Sequence, residues 1–406
     1  MNGILILADD LTGANDTAIQ FVKQGLSGLV IVNGGQTNAG LFDKYNVISV
    51  NSDSRRLSAD EAYRVVHRIA KQFETGFFVY KKVDSVLRGN PGQELGAVMD
   101  ALDISLALVA PSFPANRSTI ENGVLSNGTD AIQVFSGGTG RKTENIPLVE
   151  IRKGAGGVMD FINSRIGTQV FVADAVTDDD LAIIHKASAS LERPHVLAGS
   201  AGLANQLARG LAKEGAAPYE KSSALSPALI IAGTRQGETA AQINTLCKMW
   251  GQQPLTNFSV SMITEGQTEK AIAGAFDEAS RHMKENPKLC IIAVDSMFNS
   301  AAGHAAGVFT EGDETSAAIC EALGVLTEKL MNSFRFPLIV TTGGDTSLAV
   351  CRQLGISAIE PLVEICPGIP VGRIAGGLYE GRFIVTKSGR FGTPESLAEI
   401  VNWGTR

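Results

Sequence analysis

The chain has 406 residues, 44% of them hydrophobic, and a formal net charge of −7. That length suggests two or three domains with substantial cores; the negative balance argues against a nucleic-acid surface and leaves room for a small anionic substrate held by local cations. No apolar run approaches a membrane span, no basic segment followed by a hydrophobic one marks a leader, and the cysteines at 247, 290, 320, 351 and 366, with no CxxC pair, read as reduced thiols of a cytoplasmic protein.

Ile4 to Leu7 form a short continuous apolar run, suited to a strand buried on both faces of a parallel sheet. Asp9 and Asp10 follow at once, then Thr12, Gly13 and a helical pattern through Ala18, Ile19, Phe21 and Val22. Open α/β sheets bind ligands outside the carboxyl ends of their strands, and the two acids fall at that edge. Helix capping accounts for one acid. Two adjacent carboxylates repel each other, and they point to hydrogen bonds with substrate hydroxyls, a nearby cation or a catalytic base.

Leu29 to Val32 and Val47 to Val50 read as the next strands. Ser58 with Glu61 is a capping box, and Ala62, Val65, Val66, Ile69 and Phe73 give the helix after it an apolar face. Arg55 lies between strand end and helix start, where a guanidinium can take a carboxylate in bidentate fashion. Phe77 to Val83 is another strand. Alternation puts Lys81 and Val83 on one face and Lys82 and Asp84 on the other. Lys82, Asp84 and Arg88 can then point into one cleft; the bland reading is an edge strand guarded by lysines.

A helix from Pro91 to Leu102, a strand from Ser105 to Ala110 and a loop from Pro111 to Thr119 containing Arg117 follow. Ser136 to Thr143 is glycine-rich but fails the phosphate-loop spacing and reads as a mobile loop. Val170 to Val176 is a strand, Thr177-Asp178-Asp179-Asp180 opens a helix, and His195 to Ala198 leads through Gly199-Ser200-Ala201-Gly202 into another.

Glu214 to Pro227 lacks periodicity and reads as a linker, dividing the chain into domains at 1–220 and 228–406. Ala228 to Ala232 is a strand before Gly233-Thr234 and a helix from Glu238 to Trp250. Leu289 to Val294 is a strand and Thr315 to Asn332 a helix. Leu338 to Thr341 runs into Thr342-Gly343-Gly344-Asp345 and a helix, a turn whose backbone N–H groups can hold a phosphate. Lys387-Ser388-Gly389 follows the strand Phe383 to Thr386. No GxGxxG fingerprint follows a first strand, which weighs against a dinucleotide dehydrogenase. The fold expected is α/β, two domains each with a mostly parallel sheet flanked by helices, with the active site in the cleft between them.

Ala8-Asp9-Asp10-Leu11-Thr12-Gly13-Ala14, Ser52-Asp53-Ser54-Arg55, Lys81 to Gly89, Gly199 to Ala204, Thr342 to Thr346 and Thr386 to Gly392 together resemble the four-carbon acid sugar kinase family, over nearly the whole chain. The resemblance implies ATP-dependent phosphorylation of the terminal hydroxyl of a C4 sugar acid such as D-threonate, D-erythronate or 3-oxo-tetronate. The first domain would bind the acid and the second ATP, with Mg²⁺ bridging its phosphates. It implies substrate-site roles for Asp10, Arg55, Lys81, Lys82, Val83 and Asp84, to which the reading of the residues adds Asp9 and Arg88. Gly233, Thr234, Thr342, Gly343, Gly344, Asp345 and Gly389 would line the nucleotide site; no protein metal ligand is expected. The chain departs from the family pattern in Pro114-Ala115-Asn116-Arg117 and in Gly233-Thr234-Arg235.

Arg55, Lys82 and Arg88 are candidates for the substrate carboxylate, with Arg55 expected to take it. Asp10, with Asp84 as its rival, is expected to accept the hydroxyl proton, and Gly343 and Gly344 to present N–H groups to the phosphates. The partners expected are the acid and ATP, with neither nucleic acid nor membrane and a homo-oligomer left open. The competing classes are an NAD(P)-dependent hydroxyacid dehydrogenase, which would bind NADH, and a sugar-acid sensor without turnover.

Overall fold

The apolar runs of the first half form parallel strands because both faces of each are covered. They are β1 (Ile4–Ala8), β2 (Gly28–Ile31), β3 (Val47–Asn51), β4 (Phe78–Lys82) and β5 (Ala107–Ala110), then, beyond a small antiparallel hairpin of β6 (Ile120–Glu121) and β7 (Val124–Leu125), β8 (Thr143–Ile146), β9 (Val170–Ala173) and β10 (Val196–Gly199). Their order is β2-β3-β1-β4-β10-β5-β9-β8, and every pairing is parallel. The order reverses direction between β1 and β4, the switch point at which sheets of this kind open a crevice. Strand β4 lies between β1 and β10, so its lysines do not guard an edge.

The computed structural model describes residues 3–36, 39–73, 77–212, 219, 224–250, 255–298 and 314–405. The chain divides into two compact units, Met1–Ala217 and Pro218–Arg406. Most of the stretch expected to be a linker, 214–218 and 220–223, lies outside the described residues.

Helices of the first unit are α1 (Leu11–Val22), α2 (Ala59–Ala70), α3 (Pro91–Ala101), α4 (Ala131–Thr139), α5 (Leu148–Ile151), α6 (Ala155–Ser164), α7 (Asp178–Ala189) and α8 (Ala201–Arg209). Ser58 and Glu61 close the expected capping box on α2, and Thr177 with Asp180 closes a second on α7. The core gathers Ile4, Ile6, Tyr80, Leu108, Phe171, Leu181 and Leu203, all buried.

One expectation is corrected. Ser136 to Thr143 is not a mobile loop: it is the last turn of α4, a left-handed Gly140 and the start of β8. One of the glycines, Gly138, serves helix packing. Gly138 of α4 lies against Gly92 of α3, so close that a Cβ on Gly138 would fall 2.5 Å from Gly92 Cα.

The second unit has β11 (Ala228–Ala232), β12 (Leu255–Phe258), β13 (Leu289–Val294), β14 (Leu338–Thr342), β15 (Ala358–Cys366), β16 (Ile369–Ala375) and β17 (Phe383–Lys387). Its order is β12-β13-β11-β14-β17-β16-β15, parallel as far as β17 and antiparallel across β16 and β15. Its helices are α9 (Gly237–Met249), α10 (Val260–Thr264), α11 (Thr268–Glu285), α12 (Glu314–Ser333), α13 (Gly344–Gln353) and α14 (Ser396–Thr405). Here the order reverses between β11 and β14. No helix among the described residues is long and apolar enough to cross a membrane.

The α3–α4 contact separates two adjacent glycines. A Cβ on Gly138 has no room, whereas one on Gly137 meets nothing within 4 Å. Gly138→Ala should destabilise the protein by about 1–3 kcal/mol through overpacking. Gly137→Ala should stabilise it by about 0.5–1 kcal/mol through the lower helix propensity of glycine. Thermal unfolding of the two variants checks the pair, and equal melting temperatures would contradict the packing argument.

Candidate active site

At the N-terminal switch point three strand ends bring charge together: Asp9 and Asp10 after β1, Arg55 after β3, and Asp84 and Arg88 after β4. The loop after β3 is bound to β1 by its backbone: Ser52 N donates to Ala8 O at 2.8 Å and Ser54 N to Asp9 O at 3.1 Å. Arg55 Nε and Nη2 then donate to the two oxygens of Asp9 at 2.7 and 2.8 Å, and Nη1 donates to Asp10 Oδ2 at 2.7 Å. A third carboxylate, Asp84, lies 3.9 Å from Nη2. Burial alone would lower the Arg55 pKa, but Asp10 and Asp9 outweigh it and hold it well above the usual range.

The three acids differ in what remains open. Burial works to raise the Asp9 carboxyl, but the charge and hydrogen bonds of Arg55, then Lys81 and Lys82, hold it below the usual range. Asp84 accepts from Val86 N, Arg88 N and Arg88 Nε on one oxygen and from Arg88 Nη2 at 2.7 Å on the other. Burial opposes these bonds, yet Arg88, Arg55 and Lys82 together hold its carboxyl far below the usual range. Asp10 caps α1, accepting from Gly13 N at 2.9 Å and from Thr12 Oγ1 at 2.7 Å. Its side chain is 16% exposed, against 4% for Asp9 and 9% for Asp84.

Alternation along β4 sends its two lysines to opposite faces. Lys81 is fully buried and pairs with the equally buried Glu94 of α3 at 2.7 Å; Ser54 donates to the other Glu94 oxygen at 2.7 Å. Lys81 also donates to the carbonyls of Leu7 and Lys82. Burial raises the Glu94 carboxyl, and the Lys81 charge offsets part of that rise. Lys81 and Val83 are thus both buried, with Lys81 held against Glu94. Lys82 turns the other way, over Gly13, where a Cβ would fall 3.1 Å from its Nζ and 2.5 Å from Asp10 Oδ1. Among the described residues the Lys82 ammonium has no ion pair and no hydrogen bond, although its charge is felt at Asp9 and Asp84. Glu94 escaped the sequence reading; its signal is a carboxylate on the helix face that carries Leu95, Val98 and Met99.

In the second unit Gly233-Thr234 follows β11, and Thr342 ends β14 before Gly343, flanking the other switch point, with Lys387 ending β17 before Ser388 and Gly389 next to them. Gly343 has φ 101°, a conformation that favours glycine, and its N–H donates to Lys387 O at 2.9 Å. The expectation that this N–H faces a phosphate is corrected: it is spent on β17, and Gly343 contributes the turn. Gly344 and exposed Asp345 open α13, and Thr342 Oγ1 is buried against Thr239 Oγ1 at 3.3 Å. A Cβ on Gly389 would fall 2.5 Å from Thr234 Oγ1, so the first and third loops touch because Gly389 lacks a side chain. Among the described residues no group of three or more His, Cys, Asp or Glu side chains could hold a metal ion.

Asp9 and Asp84 titrate lower in the fold than in the unfolded chain. Their stabilisation is therefore present above the unfolded carboxylate range, about pH 4, and is lost as acid protonates them. Removing Arg55 leaves buried carboxylates without their cation, and Arg55→Ala should cost about 3–5 kcal/mol at pH 7. That deficit should shrink as the pH is lowered through the carboxylate range, and denaturant titrations at pH 7 and pH 4 read it. A deficit independent of pH would refute the electrostatic account.

Two family models match the chain: one described as a sugar-binding N-terminal domain over residues 4–134 and 127–207, the other as a nucleotide-binding C-terminal domain over residues 229–397. A D-threonate kinase of Bordetella bronchiseptica is 30% identical over 97% of this chain and 95% of its own length. A D-threonate kinase of Salmonella typhimurium is 28% identical over 98% of this chain and 97% of its own. A crystal structure of a Haemophilus influenzae protein shares the fold with a TM-score of 0.72 at 22% identity, over 98% of this chain and 100% of that one. With both domains matched in order along nearly the whole length, the chain belongs to the four-carbon acid sugar kinase family.

Proposed function

We propose that the protein transfers the γ-phosphoryl group of ATP to the terminal (C4) hydroxyl of a four-carbon sugar acid such as D-threonate, D-erythronate or 3-oxo-tetronate. The relatives' names supply the substrate class. The observation that carries the site assignment is the contrast at the N-terminal switch point: Lys82 is a buried-strand cation with no partner among the described residues, while Arg55 and Arg88 are engaged by the protein's own carboxylates.

In this reading Lys82, rather than Arg55, takes the sugar carboxylate. Arg55 instead holds Asp9 and Asp10 in place. The substrate's terminal hydroxyl oxygen attacks the γ-phosphorus, the bond from that phosphorus to the bridging oxygen breaks, and ADP leaves. Asp10, the most exposed of the three acids, accepts the hydroxyl proton or orients the hydroxyl through a hydrogen bond. Asp84, more buried, bound by four donors of its own loop and held far below the usual carboxylate range by Arg88, is a structural anion and a poor base. The first turn of α13, behind Gly343, faces the nucleotide phosphates with its N–H groups and positive dipole end. Mg²⁺ would arrive on the ATP phosphates and neutralise charge there, as such ions do when few carboxylates hold them.

A coupled assay for ADP release across a panel of C4 acids tests the reaction. Turnover with none of them, or reduction of a keto acid by NADH, would overturn it. Asp10→Asn should lower kcat by about 10²–10⁴-fold, the usual range for such a group, with ATP binding retained. Asp84→Asn should reduce stability more than Asp10→Asn does. Lys82→Met should raise KM for the acid roughly 10- to 100-fold, the worth of one charged hydrogen bond, and leave KM for ATP near wild type. An unchanged KM for the acid would return the carboxylate to another cation.

A further inference from the structure

Lys387 ends β17 and is fully buried, yet among the described residues it pairs with no carboxylate. Its ammonium donates to Ser388 O at 2.8 Å, to Gly389 O at 3.4 Å and to Thr239 Oγ1 at 3.3 Å. A cation buried among neutral dipoles is costly, so its placement calls for a role. Thr239 donates onward to Gly389 O at 2.9 Å and contacts Thr342 Oγ1 at 3.3 Å. One ammonium thus ties together α9, the end of β14 and the loop after β17. The end of β14 and the loop after β17 carry Thr342 and Gly389, expected above to line the nucleotide site.

The loop itself is a turn closed by Phe391 N on Ser388 O at 3.2 Å. In a trans peptide the carbonyl and the following N–H point in opposite directions. Drawing the carbonyls of Ser388 and Gly389 toward Lys387 therefore turns the N–H groups of Gly389 and Arg390 away from it. Neither N–H has a partner among the described residues, although Gly389 is buried. Two successive unpaired N–H groups form an anion-binding concavity, and buried N–H groups rarely stay unpaired.

We propose that Lys387 is a positioning residue of the nucleotide site: by holding the Ser388 and Gly389 carbonyls inward, its ammonium aims the N–H groups of Gly389 and Arg390 at a nucleotide phosphate. The inference rests on the function proposed above. Burial pushes the Lys387 ammonium down to about 7, partly offset by Glu238 on α9 and Cys366 on β15, the titratable groups that face it. The holding cation is therefore partly discharged as the pH rises above neutrality.

The test is Lys387→Met, which keeps the length and apolar bulk and removes the donors. ADP titrated with Mg²⁺ in a calorimeter should bind the variant at least tenfold more weakly. KM for ATP should rise likewise, with KM for the acid within twofold of wild type. The melting temperature should hold or rise, since an unpaired buried charge has been removed. The ratio of variant to wild-type ADP dissociation constants should narrow between pH 6 and pH 8.5. In the wild-type protein, saturating ADP should protect the Gly389 and Arg390 amides from hydrogen exchange, a readout independent of whether the variant folds. Unchanged ADP affinity in the variant, or no protection at these two amides, overturns the proposal. Wild-type protein that binds no nucleotide at all overturns instead the function on which it rests.

Discussion

Adjacent carboxylates at the end of a buried strand require a cation held against both, and Arg55 meets that requirement at Asp9 and Asp10. Much of the first unit is arranged so that it can. Strand β3 must pair with β1 in register, Ala8 beside Asn51, to bring the loop of Arg55 within reach. Gly89 must lack a side chain, because a Cβ there would press on Arg55 within 3.2 Å. Asp84 must be satisfied by its own loop, where Leu87 takes the left-handed conformation at φ 59° as the chain wraps the carboxylate. A guanidinium shared between acids stores no net attraction for a ligand. It fixes geometry, and a preformed geometry is what phosphoryl transfer asks of a protein.

The two units reach the same solution separately. Each has a mostly parallel sheet whose strand order reverses once, and each places its polar residues on the strand ends at that reversal. In the first, side-chain charges occupy the crevice. In the second, small and hydroxylic residues stand there, with Gly389 close against Thr234 and Thr342 against Thr239. Side-chain ions suit a small hydroxy acid, and backbone dipoles suit a polyphosphate.

The sequence made the strand ends legible because buried parallel strands are continuous apolar runs, and polar residues that interrupt them are conspicuous. Alternation alone separated Lys81 from Lys82, and the box of Ser58 and Glu61 was read from spacing. What escaped depends on contacts distant in sequence. Nothing near Lys81 announces that Glu94 will meet it, and nothing near Arg55 announces that its partners are the acids of β1 rather than a ligand. The glycine at 138 misleads for the same reason: its purpose lies on another helix, at Gly92. The antiparallel pair β15 and β16 was not among the expected strands.

The charges at the N-terminal switch point also cancel. Asp9, Asp10 and Asp84 stand against Arg55, Arg88 and Lys82, and behind them Lys81 stands against Glu94. A balanced cluster projects little field into solvent, and the chain as a whole is negative. Long-range steering of an anion therefore contributes little to its arrival, and the recognition proposed for Lys82 rests on contact between one ammonium and one carboxylate. Association governed in that way is nearly indifferent to ionic strength. Under the proposed function a phosphorylated acid, more negative than the acid that entered, would find no surplus of positive charge to detain it, so the neutrality that makes capture a matter of fit would also favour product departure.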